Sequence, residues 1–406
     1  MYETFAILAA FIFLYASAAG GLERTIINGA VVFIAFGLIL GPVGLGFLNL
    51  SVDREEMRIL AEMTLALVLF TDAANADLGF LKQGFHIPQR LLVIGLPLTI
   101  LLGFAVGVAL FSGLTLLEAA ILATMLASTD AALGKAVVTN KSVPIKVRES
   151  LNVESGLNDG ICVPILFLFL ALAAGTHAED STLGLALELF AEEIGIGAGT
   201  GIVLTVIGGF LLKECANREW VTETWRQLPV VVLAVACFSV AQSIGGSGFI
   251  AAFVGGLLFG RIARGHKHKL LLAAEGTGDT LALLTWVVFG AVFIAKAVES
   301  FSFPVLLYAV LSLTIIRMVP VYLTLAGTGL RADEKIFMGW FGPRGLASIV
   351  FGVIVVNSDL PGGGTIAATV TCTIVLSVIA HGFSANPLVA ALAARISRSE
   401  GKAAVD

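Results

Sequence analysis

Charged residues are scarce in this chain. Lys, Arg, Asp and Glu make up 13% of its 406 residues, about half of the roughly 25% that is usual in a soluble domain. Hydrophobic residues make up 58% and the mean hydropathy is +0.98, which excludes an ordinary soluble enzyme and a disordered protein. The chain also lacks the dense runs of Lys and Arg that bind phosphate backbones, so we expect no nucleic-acid partner.

Cysteines are few, and no two of the four form a Cys-x-x-Cys pair. Each lies in or beside an apolar segment, which indicates a small core residue rather than a disulfide or a metal ligand. We expect no cofactor. The four positions are Cys162, Cys215, Cys237 and Cys372.

Long apolar runs fill most of the chain, and a helical span needs roughly 17–25 mostly apolar residues. We therefore predict an all-α membrane protein with about thirteen transmembrane helices. We expect one transmembrane domain over residues 1–406, without a soluble regulatory domain. The predicted spans are approximately 4–19, 25–41, 58–76, 90–111, 116–138, 149–174, 182–212, 228–243, 248–262, 279–296, 304–326, 335–356 and 365–392.

The distribution of basic residues predicts the orientation of these spans. With the N-terminus outside, eighteen of the 24 Lys and Arg residues lie in cytoplasmic loops and two lie in outer loops. The remaining four lie within spans. Positive residues are enriched in cytoplasmic loops, so the bias predicts an N-out, C-in topology with an odd number of spans.

The fifth and twelfth predicted spans are interrupted. In the fifth, Thr129 and Asp130 lie near the middle, before a stretch of small residues that ends at Gly134. In the twelfth, glycine and proline surround Arg344 in the sequence GPRG. Two broken helices at similar positions in two halves of a chain predict inverted repeats with a binding site near the membrane midplane.

The sixth span carries two polar pairs spaced four residues apart. Glu154 and Asn158 share one helix face, and Ser155 and Asp159 share the next. Asp159 lies about ten residues into the span, where loss of water disfavours an isolated charged carboxylate unless a cation accompanies it. The same oxygens therefore hold either a proton or a small hard cation. Oxygens from Ser155, Thr129, Asn158 and the backbone suit an alkali cation.

Further ionisable residues lie within spans, where each is a candidate functional or structural group. Arg317 is in the middle of the eleventh span and needs a counter-charge, for which Glu154 is the natural candidate. Arg344 either stabilises the broken twelfth helix or lies near the ion path. Asp72 and Asp77, near the cytoplasmic end of the third span, form either a vestibule that attracts cations or caps of the following loop.

In combination, these pieces resemble the cation:proton antiporter superfamily and, within it, the electroneutral sodium/proton exchanger branch. The stretch 245–260 is similar to the connection between the family's eighth and ninth spans. The resemblance covers essentially the whole chain. The matching motifs are Thr129-Asp130, Glu154-Ser155-x-x-Asn158-Asp159, Arg317 and Gly342-x-Arg344-Gly345.

The resemblance implies a role for each site residue. Asp159 is then the carboxylate that binds Na⁺ or H⁺ in turn. Asn158 and Asp130 hold the crossing of the broken helices together. Thr129 and Ser155 contribute oxygens to the ion.

The resemblance also implies a stabilising ion pair between Glu154 and Arg317. Some prokaryotic relatives place an ion-coordinating Glu in the third span, where this sequence offers only Thr71 or Asp72 as a further ion ligand. Electrogenic relatives have Asp where Asn158 stands, so one titrating carboxylate implies exchange of one proton per Na⁺ or Li⁺. The family implies a homodimer in the membrane lipid, with a mobile ion-carrying core, here about residues 58–174 and 279–392, that moves like an elevator. The expected location is a prokaryotic inner membrane, and the expected physiological role is pH homeostasis.

Parts of the sequence also match three other functions. A K⁺/H⁺ antiporter on the same scaffold is the nearest alternative, since the sequence does not show the size of the site. A channel fits less well, because broken helices with one titratable carboxylate suit an occluded, alternating site. Gly276-Thr277-Gly278-Asp279 matches the GxGD motif of intramembrane aspartyl proteases, but the second aspartate motif of that family is missing.

Overall fold

The computed structural model describes residues 2–22, 28–48, 54–76, 86–130, 133–138, 140–175, 183–222, 225, 227–263 and 267–403. Within these residues every regular element is helical, which confirms the predicted all-α fold. By length and composition, seven helices of this described part are long and apolar enough to cross a membrane, and shorter apolar helices accompany them.

Each predicted span contains one or two helices, and we number the helices by span. They are α1 (Tyr2–Leu22), α2 (Gly29–Leu40), α3 (Arg54–Asn75), α4 (His86–Leu110), α5a (Leu116–Met125), α5b (Lys135–Val138), α6 (Ile145–Gly175), α7 (Leu183–Asn217), α8 (Leu228–Ser243), α9 (Gly248–Ile262), α10 (Lys267–Val288, continued to Ser300), α11a (Phe303–Leu313), α11b (Ile315–Thr324), α12a (Ala332–Trp340), α12b (Leu346–Val356) and α13 (Gly363–Ala403).

The helices pack in two groups. In the first, α3 packs most extensively against α9 and α10, and α7 and α8 pack against α9. In the second, α5a packs between α4 and α6, while α13 contacts α11a and α12b. We call the first group the scaffold (α2, α3, α7–α10) and the second the crossing group (α4–α6, α11–α13). The expected core range also includes α3 and α10, which pack with the scaffold.

The broken helices predicted in the fifth and twelfth spans are confirmed. The α5 break comprises residues 126–130 and 133–134, and the α12 break comprises residues 341–345. The eleventh span, predicted as continuous over 304–326, is also interrupted, at Thr314. Its φ of −113° and ψ of −93° are not helical, and its N–H donates to the carbonyls of both Val310 and Leu311.

The start of α5a is fixed by reciprocal capping. The Thr115 hydroxyl accepts a hydrogen bond from the Glu118 N–H, and the Glu118 carboxylate accepts one from the Thr115 N–H at 2.8 Å. The Gly362 N–H also donates to this carboxylate, at 2.5 Å. The first half of the broken fifth helix is thus tied to the segment that precedes α13.

Candidate functional site

Asp130 lies where the two broken helices cross. Its N–H donates to the carbonyl of Pro343 at 2.8 Å, and its carboxylate accepts the N–H of Leu346 at 2.8 Å and that of Leu133 at 3.0 Å. Leu346 begins α12b, where unpaired N–H groups and the helix dipole favour a negative charge, and Leu133 lies two residues before α5b. Gly345 makes room for this contact, since a Cβ there would collide with Oδ2 of Asp130.

Arg344 binds the C-terminal end of α5a at the crossing. Its guanidinium group is fully buried and donates from Nη1 to the carbonyls of Ala127 and Ser128 at 2.9 and 3.0 Å. These carbonyls follow the C-terminus of α5a, where the helix dipole favours a positive charge. The N–H of Arg344 donates to the Ser377 hydroxyl of α13 at 2.7 Å. Of the two roles left open by the sequence, these contacts support stabilisation of the broken helix.

Asp159 lies beside the α5 break and is 7% exposed. Its Oδ1 accepts a hydrogen bond from the Ser128 hydroxyl at 2.5 Å. Its Oδ2 has no hydrogen-bond partner among the described residues. One oxygen of this carboxylate is therefore held by the protein, while the other remains available to a proton or a cation.

The remaining predicted ligands bind the α5 break itself. The Asn158 side chain accepts from the Thr129 N–H at 3.3 Å and donates to the Thr129 hydroxyl at 2.5 Å. The Ser155 hydroxyl donates to the Thr129 carbonyl at 2.8 Å. Through these bonds α6 satisfies all the backbone polar groups of Thr129. The structure thus brings Asp130, Thr129, Ser155, Asn158 and Asp159 together at the crossing.

Glu154 and Arg317 form a bidentate pair between α6 and α11b. The two Nη–O distances are 2.8 and 2.9 Å, and both side chains are at most 2% exposed. Parallel N–H···O bonds of this kind are the strongest geometry for an arginine–carboxylate pair. Gly342 in the α12 break packs against the same guanidinium group, since a Cβ there would collide with Nε of Arg317.

Asp72 is half-buried on α3 and faces the crossing group from the scaffold. A Cβ built on Gly156 of α6 would lie 3.6 Å from Cβ of Asp72, next to the helix turn that carries the site. One turn further on, Asn75 donates to Glu275 of α10 at 2.6 Å. The scaffold therefore presents polar residues at this end of α3. Asp77 lies outside the described residues.

Sequence reasoning missed Ser128, although it directly precedes the Thr-Asp pair. It also missed Ser377 and His381 on α13, both buried, which contact the α12 break. The available signal was a hydroxyl or imidazole within an apolar run. That signal is weak, because serine and threonine are common in membrane helices and bond their own backbone.

Two broken helices that cross beside a buried carboxylate are the structural features of an ion-coupled secondary transporter. The sodium/hydrogen exchanger, transmembrane family matches residues 7–391, and the chain belongs to this family.

Named relatives differ in the cation. The chain is 24% identical to the K(+)/H(+) antiporter NhaP2 of Shewanella sp. (strain ANA-3) over 371 residues, which cover 91% of this chain and 62% of that protein. It is 26% identical to the low-affinity Na(+)/H(+) antiporter NhaS1 of Synechocystis sp. over 246 residues, or 59% of this chain and 45% of that protein. The chain thus spans less than two thirds of the length of these relatives.

A solved structure shows the same fold. The sodium proton antiporter MjNhaP1 from Methanocaldococcus jannaschii superposes with a TM-score of 0.72 at 20% sequence identity. The match covers 94% of this chain and 99% of that one. At this level of identity the similarity establishes the arrangement of helices.

Proposed function

We propose that the chain is a secondary active transporter that exchanges Na⁺ or Li⁺ for H⁺ across a membrane. The observation that carries the proposal is the carboxylate of Asp159, which is buried at the crossing; Ser128 holds one of its oxygens, and the other has no hydrogen-bond partner among the described residues. A carboxylate in this position binds a proton or a cation but not both, and this competition couples the two flows. Family membership supports the same function.

The charges around the site favour an electroneutral exchange of one cation for one proton. Glu154 and Arg317 neutralise each other within their ion pair. Asp130 and Arg344 carry opposite charges at the crossing, where Asp130 binds the start of α12b and Arg344 binds the end of α5a. Asp159 is the remaining carboxylate at the crossing, and it becomes neutral with either a proton or a monovalent cation. The crossing group therefore carries the same net charge in both directions.

The packing supports alternating access with one side closed. Between α3, α10 and α12b, Thr285 and otherwise apolar side chains leave a cavity of only about 10 Å³, which admits no more than about one water molecule. The opposite end of α3 presents Asp72 and Asn75, both half-buried. We propose that the ion enters at this polar end and that movement of the crossing group along the scaffold opens the apolar end.

K⁺/H⁺ exchange is the second candidate, because a relative named for K⁺ matches 91% of this chain. Alkali cations differ in radius and hydration, and both candidates use the same oxygen ligands. Measurement with each cation therefore decides between the two.

Purified protein in liposomes with a pH-sensitive dye tests the proposal. We expect Na⁺ or Li⁺ to drive proton movement that is unchanged by a K⁺ potential set with valinomycin. Potassium alone as the active cation would instead establish the second candidate. Asp159→Asn should abolish the response. The control is Glu188→Gln, which changes an exposed carboxylate on α7, outside the crossing group, and should retain the response. Substantial exchange by folded Asp159→Asn protein would refute the role of Asp159.

We also propose a homodimer in a prokaryotic plasma membrane, with the C-terminus in the cytoplasm. The bacterial relatives and the loop charges support this location. Cross-linking in native membranes tests the dimer. A single cysteine introduced near the C-terminus and labelled with an impermeant reagent tests the orientation, since labelling of intact cells would contradict it.

A further inference from the structure

Buried polar residues recur every four positions along α13. Thr369 and Thr373 donate their hydroxyls to the carbonyls of Thr365 and Thr369, each at 2.7 Å. These bonds stay within the helix, which is the usual arrangement for threonine in an apolar environment. Ser377 and His381 continue the same stripe but reach out of α13 to the backbone of α12.

The two residues hold both ends of the α12 break. Nε2 of His381 lies 2.9 Å from the carbonyl oxygen of Trp340, the last residue of α12a. The Ser377 hydroxyl accepts the N–H of Arg344 at 2.7 Å. Since unpaired backbone groups are costly away from water, these bonds stabilise the non-helical conformation of the break.

The hydrogen bond from His381 to the Trp340 carbonyl requires a hydrogen on Nε2. A carbonyl oxygen only accepts, so Nε2 carries a hydrogen whenever this bond is made. Nδ1 lies 2.8 Å from the Ser377 carbonyl and 3.1 Å from its hydroxyl, so it is satisfied with or without a hydrogen. The ring thus donates to Trp340 both in the charged form and in the neutral form with its hydrogen on Nε2.

A continuous chain of contacts leads from the α12 break to the ion site. The Arg344 side chain binds the carbonyls of Ala127 and Ser128, and the Ser128 hydroxyl donates to Asp159. The Pro343 carbonyl accepts the N–H of Asp130 in the same region. A shift of the α12 break therefore moves the hydroxyl that holds Asp159.

We propose that His381, together with Ser377, is a positioning residue for the cation site. The imidazole fixes the end of α12a, the serine fixes Arg344, and Arg344 fixes Ser128 against the carboxylate. Neither α13 residue is among the predicted ion ligands. This inference rests on the proposed exchange function and extends it to residues that lie outside the crossing itself.

Exchange in liposomes at increasing Na⁺, Li⁺ or K⁺ concentration tests the proposal in the full chain. With the active cation, His381→Leu should raise the half-saturating concentration about fivefold, as expected for loss of one buried hydrogen bond. His381→Gln, whose amide also donates, should restore it to within about twofold. Ser377→Ala should raise it in the same direction. A purely structural role would lower the maximal rate or the melting temperature and leave the half-saturating concentration unchanged.

Two controls on the same helix separate positioning from packing. Ser384→Ala removes a 2.8 Å hydrogen bond to the Trp340 indole, and Thr373→Val removes a hydroxyl that bonds only its own helix. Both should retain the wild-type half-saturating concentration.

An unchanged value in His381→Leu, or failure of His381→Gln to restore it, would overturn the positioning role alone. Absence of exchange in the wild type with all three cations would overturn the proposed function, and the positioning role with it. If His381→Leu does not fold, Ser377→Ala and His381→Gln decide the question.

Discussion

Asp159 has two unlike oxygens, and this asymmetry is the central feature at the residue scale. Oδ1 is held by Ser128, whereas Oδ2 has no hydrogen-bond partner in the described part of the chain. A fixed oxygen sets the orientation of the carboxylate before an ion arrives. The entropy cost of orienting the carboxylate then arises on folding rather than on cation binding.

Ser128→Ala should weaken cation binding without disturbing the crossing. A hydrogen bond to a charged group contributes about 1.5–3 kcal/mol, so we expect the half-saturating cation concentration to rise about tenfold or more. Exchange measured against cation concentration gives this value. The matched control is Ser348→Ala, which removes a buried hydroxyl at the same crossing that donates to the Met125 carbonyl at 2.8 Å. Equal effects of the two substitutions would contradict a specific role for Ser128.

At the scale of helices, α6 is joined to α11b by the Glu154–Arg317 pair. Both charges are buried, so removal of one leaves the other without compensation. We expect each single charge reversal to destabilise the protein by about 3–5 kcal/mol. The double reversal Glu154→Arg with Arg317→Glu should recover part of this loss, as measured by thermal unfolding in detergent.

The exposed pair Arg218–Glu214 is the control for this experiment. Glu214 lies in the last turn of α7 and Arg218 directly follows this helix, and both side chains are more than 40% exposed. Removing it with Arg218→Ala should cost less than about 1 kcal/mol. If the double reversal recovers no stability over either single one, the stabilisation does not come from the pairing of charges.

The crossing of the two broken helices depends on a glycine. Gly345→Ala places a Cβ on the Asp130 carboxylate, so we expect a loss of about 1–3 kcal/mol in stability together with a loss of exchange. Melting temperature and proton flux report the two effects. Gly276→Ala in α10 meets no atom within 4 Å and should be neutral or slightly stabilising, because alanine favours a helix. Wild-type stability in Gly345→Ala would show that the crossing tolerates a shift of Asp130.

At the scale of the whole molecule, the proposed alternating access requires the crossing group to move against the scaffold. The ring of Phe253 on α9 lies against Gly160 of α6, directly after Asp159, and a Cβ on this glycine would collide with the ring. Phe253 and Ile161 both pack against a buried cluster that includes Leu157. This apolar contact between the two groups lies next to the candidate ion site, and the proposed movement would have to break or displace it.

Gly160→Ala should therefore change the rate of exchange more than the affinity for the cation. We expect the maximal rate to fall several-fold, because the added methyl group alters the packing of Phe253 between the two groups. The half-saturating concentration should stay within about twofold of wild type, since no ion ligand is altered. Gly195→Ala on α7, with no atom within 4 Å, is the control. A changed half-saturating concentration with a normal rate would place Gly160 in the binding site instead.

Several properties were determined by the sequence alone. The class of protein followed from the length and composition of the apolar runs, which are local properties. The two broken helices followed from glycine, proline and charge within such runs, and the structure confirms both. Asp159, Glu154 and Arg317 were identifiable because an ionisable residue in a long apolar run has few explanations. The family followed from these motifs in combination, and its match over residues 7–391 confirms it.

Only the tertiary structure determined which polar groups form hydrogen bonds with one another. The sequence placed Ser155, Asn158 and Thr129 as candidate ligands, but in the structure the first two bind Thr129, and Ser128 contacts Asp159. Such contacts join residues about thirty positions apart on two helices, and their pairing depends on the angle and register at which the helices cross. The contacts of α13 with the α12 break and the division into two helix groups arise in the same way. Apolar composition determines that the chain lies in a membrane, whereas packing between distant segments determines which side chains contact one another.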